Sequence, residues 1–157
     1  MFEQLEKLQL DAAVNFDKLI PTTYNEAWFF YERNGSVTDY WYCYIDKKTS
    51  KVIPADGLKY RKDVVITDRD KFTKQQDKIP QILFDLKKMY YECTGKSWNG
   101  CILQLNSDKT YQLFFDYEKH TSSFLYRRNE WCMEHFGSIP IVKVDMLNED
   151  FPGNRKK

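Results

Sequence analysis

Apolar residues recur along the chain with two alternating periods. Phe2, Leu5, Leu8, Ala12, Phe16 and Leu19 fall at three- and four-residue steps with Glu and Lys between them, which predicts an amphipathic helix over residues 2–20, stopped by Pro21. The period then shortens to two. Aromatic, β-prone runs over 26–33 and 38–46 flank Asn34-Gly35, the strongest short hairpin signal, and predict two antiparallel strands. Residues 47–67 are Lys-rich, contain Pro54 and Asp56-Gly57, and keep no period; they predict a connection with at most a short strand at Val64–Ile66.

Helical spacing returns over 68–94 through Phe72, Ile79, Ile82, Leu83, Leu86, Met89 and Tyr90. Asp68 is the expected N-cap and Gly95 lies just past the end; Pro80, inside the pattern, is expected to kink the helix or to open a second one. Strands are predicted at Gly100–Leu105 and Thr110–Tyr117, turning at Asn106-Ser107-Asp108. A third helix, from about Ser122 to His135, should carry Phe124, Leu125, Trp131, Cys132 and Phe136 inward and close at Gly137. Ile139 to Leu147 reads as an edge strand or extended arm.

The two helix–hairpin stretches look like one unit used twice. Trp28 and Asp46 bracket the first hairpin, Trp98 and Asp116 the second, each pair eighteen residues apart and the copies seventy residues apart. The predicted fold class is α+β: an antiparallel sheet from two aromatic hairpins packed with three helices in the order helix, hairpin, helix, hairpin, helix, plus a C-terminal extension. The chain reads as one domain over 1–147 and a frayed basic tail over 148–157.

Composition sharpens this picture. With 157 residues, aromatics at 17% and only 6 Gly and 5 Pro, the chain is long enough for one well-packed core and needs no metal or disulfide staple. Cys43, Cys93, Cys101 and Cys132 lack the dense spacing of a secreted framework, the N-terminus shows no signal peptide, and no apolar run spans a bilayer; the expectation is a reduced, cytoplasmic chain with no membrane partner. A net charge of +1 conceals polarity: residues 1–46 carry eight acidic and three basic side chains, 116–150 seven and four, and 47–96 seven and thirteen. The acidic segments could face a basic partner.

No phosphate loop, His-Glu-x-x-His, Gly-x-Ser-x-Gly or Cys-x-x-Cys occurs. His120 and His135 are the only imidazoles; His120 with Asp116 or Glu118 is the one cluster that suits a small hydrolase or nuclease, while His135 belongs to a helix C-terminus. Cys93, Cys101, Cys132 and His135 match no finger spacing, so neither metal nor cofactor is expected. The tyrosine ladders Tyr40–Tyr44 and Tyr111–Tyr117 contain no Lys or Arg, which disfavours nucleic acid as a partner.

The stretch Lys96-Ser97-Trp98, then Phe114-Phe115-Asp116-Tyr117-Glu118, then Arg127-Arg128-Asn129-Glu130-Trp131 and His135-Phe136-Gly137, resembles the second half of the YezG-like family of polymorphic-toxin immunity proteins. The first half agrees through a helix ending in Ile20-Pro21, then Trp28 and an aromatic hairpin, so that the resemblance spans about residues 5–137. It implies a non-enzymatic, cytoplasmic antitoxin that binds and neutralises the toxic C-terminal domain of a secreted bacterial toxin, often a nuclease. A homodimer stays open. The chain departs from the family's usual strong acidity.

Strand side chains alternate between faces, and the helices can cover only one face of a four-stranded sheet completely. Some of Tyr40, Tyr42, Tyr44, Tyr111 and Tyr117 should then stay exposed. The expected partner-binding residues are Asp116, Tyr117, Glu118, Tyr42, Tyr44 and Asp46, exposed rings beside carboxylates. The competing reading packs Tyr117 beneath the third helix and has Asp116 cap the chain or pair with Arg127.

Overall fold

Helix α1 spans Phe2–Leu19 and buries Leu5, Ala12, Ala13, Phe16 and Leu19 along one stripe. It ends where Pro21 denies helical geometry to the residue before it. The computed structural model describes residues 2–152. Strands β1 (Tyr24–Asn34) and β2 (Val37–Asp46) form the first hairpin, whose turn holds Gly35 at φ +60°, the left-handed region where glycine is unstrained. A short strand β3 (Val52–Pro54) and a 3₁₀ turn over Leu58–Tyr60 follow. Helix α2 runs over Arg69–Thr94, strands β4 (Gly100–Asn106) and β5 (Tyr111–Asp116) make the second hairpin, and helix α3 spans Phe124–Phe136.

The sheet has five strands in the order β3-β2-β1-β4-β5, every neighbouring pair antiparallel. The two hairpins join through β1 and β4, with Phe29 opposite both Tyr42 and Leu103. One face carries Phe29, Tyr31, Tyr42, Tyr44, Cys101, Leu103 and Leu105 into a core shared with Phe16 of α1 and Ile79, Leu83 and Leu86 of α2. The other carries Trp28, Phe30, Trp41 and Cys43 against Phe124, Trp131, Cys132 and Phe136 of α3. Helices α1 and α2 therefore cover one face and α3 only part of the other, on a sheet of five strands where four were expected.

Several expectations need correction. The short strand of the connection is at Val52–Pro54, not Val64–Ile66, because pairing to Cys43–Ile45 selects it. No second helix opens at Pro80: α2 is continuous between the expected Asp68 cap, which accepts from Lys71 N at 3.0 Å, and Gly95 at φ +74°, and burial of Ile79, Leu83 and Leu86 carries it across the missing hydrogen bond. Leu125, expected inward, is 53% exposed. The copies are not in structural register either. Trp28 lies within β1 facing α3, whereas Trp98 precedes β4 and packs in the opposite core on Tyr31 and Phe115, with ring centroids 6.1 and 5.1 Å away.

No strand forms over 139–147. The segment ends in a 3₁₀ turn at Val144–Met146, and Leu147 makes an isolated bridge to Arg61. Asn148 N donates to Tyr60 O at 2.8 Å, Arg69 pairs with Asp150 at 3.0 Å, and Phe151 meets the Tyr60 ring. Arg155, Lys156 and Lys157 lie outside the described residues.

Candidate functional site

The open end of the second hairpin sets the exposed rings Phe114 and Tyr117 beside Asp116 and Glu118. β5 contains Leu113-Phe114-Phe115, three apolar residues in succession, so alternation must leave one on the face opposite the main core. Phe115 packs against Trp98 and Tyr90, whereas Phe114 turns outward and is 51% exposed.

Between Phe114 and α3 runs a cleft of about 250 Å³, floored by Phe30 and Ile102 and walled by Phe124, Arg127 and Trp131, with Asp116 at its margin. The cleft exists because α3 sits over β1 and β2 and leaves the β4–β5 half of that face uncovered. Arg127 joins Glu32, at the end of β1, to the carbonyl of Ser122, which ties the start of α3 to the sheet. Ser123 caps the helix by accepting from Tyr126 N at 3.1 Å.

The loop leaving β5 is folded around Asp116. Its Oδ1 accepts from Glu118 N at 2.9 Å and its Oδ2 lies 2.5 Å from His120 Nε2. Asn99 Nδ2 donates to the carbonyls of Tyr117 and Glu118 at 3.2 and 2.8 Å. Tyr117, 45% exposed, donates its hydroxyl to Tyr90 at 2.8 Å; burial of that hydroxyl together with the bond pushes it up to about 12. The competing reading holds only in part: Tyr117 bonds to α2, not α3, and Arg127 pairs with Glu32, not Asp116. Asp116 does cap the loop.

Asp116, Glu118 and His120 offer ligand atoms within 4.8 Å of one another. Such a trio could hold a cation weakly or orient the imidazole beside a carboxylate. The four cysteines form no disulfide with one another. Cys43 and Cys132 are buried on the α3 face, Cys101 in the opposite core, and burial pushes all three thiols up. His135 stacks on Trp131 with centroids 3.7 Å apart, and its Nδ1 lies 3.0 Å from the Trp131 carbonyl.

The other expected binding residues lie elsewhere. Tyr42 and Tyr44 are 1% and 0% exposed, so the rings expected at the surface are core. Tyr42 stacks on Phe29 and donates to Gln76 Oε1 at 2.6 Å. Asp46 is 7% exposed and accepts from Thr49 N, Thr49 Oγ1 and Thr22 Oγ1 at 2.9, 2.8 and 3.0 Å. It closes a turn. Sequence reasoning missed the cleft residues Glu32, Phe114 and Phe124 and the clasp Asn99; the unbroken apolar triplet was the signal for Phe114.

Residues 5–148 match the family model described as immunity protein YezG-like. The matched region reaches from α1 past the C-terminal 3₁₀ turn, beyond the 137 at which the resemblance was expected to stop. No curated protein matches the chain. No helix among the described residues is long and apolar enough to cross a membrane.

Proposed function

Because the chain belongs to the YezG-like immunity protein family, whose role is immunity, we propose that it binds and neutralises the toxic C-terminal domain of one cognate secreted toxin in the cytoplasm of the producing cell. It does so with the surface built by Asp116, Tyr117 and Glu118. The observation that carries this reading is the union of exposed rings, Phe114 and Tyr117, with exposed carboxylates beside an open apolar cleft. Amphipathic rings next to charges that steer a partner are the composition of an interface centre. The acidic charge favours a basic toxin surface, as a nuclease presents.

Co-expression with the toxin gene immediately upstream tests the reading through growth. Rescue, and a complex on gel filtration, is the expected result; absence of both overturns it.

A second reading rests on the 2.5 Å approach of His120 to Asp116, the geometry of an imidazole oriented for proton transfer. The His120→Ala variant separates the two. Full rescue is expected from a binding protein, whereas loss of a measurable turnover would establish a hydrolase.

A further inference from the structure

The two edges of the sheet are treated differently. At the β3 edge, three residues ending in Pro54 offer little ladder. That edge is short and carries a proline, the usual protection against strand pairing. The β5 edge has neither device. It is six residues long, contains no Pro, and has β4 on one side only. Alternate residues of an antiparallel strand direct both N–H and C=O away from their neighbour. Among the described residues no backbone group beyond β4 pairs with Tyr111–Phe115.

Beside this edge lies the cleft under α3, and at the edge's end stand Asp116 and Glu118. At about 250 Å³ the cleft falls below the range that encloses a whole small-molecule ligand, and it suits a single large side chain. The geometry points to strand addition: an extended segment of the toxin domain pairs with β5, inserts an aromatic or large aliphatic side chain between Phe114 and Phe124, and sets a Lys or Arg against Asp116 and Glu118. Main-chain bonds supply affinity and the cleft supplies selectivity, as in other edge-strand complexes. This docking mode rests on the immunity reading above and specifies the part of the toxin that the protein grips.

Hydrogen exchange of the full chain, alone and with the C-terminal domain of the upstream-encoded toxin as probe, tests it. Amides of Tyr111–Phe115 that face outward should slow by about tenfold or more in the complex. Phe114→Glu, at an exposed position, should keep the circular-dichroism spectrum and weaken binding at least about 30-fold, the level of a hot-spot residue, while Val37→Glu, exposed at the start of β2, should leave it unchanged. A full-affinity complex in which the β5 amides exchange at their free rate overturns strand addition and leaves the immunity reading standing. No complex at all overturns both. Slow β5 exchange in the chain alone, with a dimer on gel filtration, assigns the edge to a second copy and overturns the proposal.

Discussion

Asp46 shows how one residue can be read as a binding group and prove to be structural. Burial pushes its carboxyl up, but hydrogen bonds from Thr49 and Thr22 outweigh burial and hold it below the usual range. Asp63 is lowered by its bond to Arg61, and in Asp17 bonds from Tyr24 and Lys109 overcome burial. A carboxyl held below its unfolded value of about 3.9 contributes stability that is present above that pH and lost as pH falls through the folded value. The melting temperature should therefore hold down to about pH 5 and fall steeply below about pH 4. Asp46→Asn should cost about 1–2 kcal/mol at neutral pH, as loss of a charged turn-closing acceptor does, and should flatten the acid limb. Urea melts across pH measure both, and an unchanged acid limb would remove Asp46 from the account.

At the scale of elements, α3 is joined to the rest through a small aromatic cluster. Trp131 meets Trp28, Phe30 and Phe136 with centroids 5.3, 4.8 and 5.4 Å away, and Arg127 adds its link to Glu32. Trp131→Ala should cost about 3 kcal/mol and loosen α3, while the core between the sheet, α1 and α2 persists. Urea melts give the cost. Far-ultraviolet circular dichroism should show loss of about one helix's signal before the main transition, and a single unshifted transition would contradict this division. The helices were legible because their apolar stripes, Asp68 cap and closing glycines are local signals, and so were both hairpins. Which face each helix covers was not legible. That choice depends on β1 meeting β4, a pairing across some seventy residues that leaves no mark in either strand alone. For the same reason Tyr42 and Tyr44 could not be told from surface rings, since both faces of β2 are aromatic. That Asp116, Tyr117 and Glu118 share the loop after an aromatic strand was legible from their adjacency, while the cleft beside them required the position of α3.

Over the whole molecule, a sheet covered by α1 and α2 on one face and in part by α3 on the other leaves the six-residue β5 edge without an outer strand, and Phe114, Asp116, Tyr117 and Glu118 stand at that edge's end. The net charge of +1 does not describe this surface, because the basic residues concentrate between 47 and 96 and the chain from 116 to 150 is acidic. An immunity protein with this layout should hold its toxin through local charge and not through overall acidity. The most direct measurement is the affinity of the intact chain and of an Asp116→Lys, Glu118→Lys double variant for the C-terminal domain of the upstream-encoded toxin, by titration calorimetry, with circular dichroism as the control for folding. The account predicts tight binding by the intact chain and a loss of about 2–5 kcal/mol in a variant with an unchanged spectrum, the range for reversing desolvated interface charges. Equal affinity in a folded variant would contradict it.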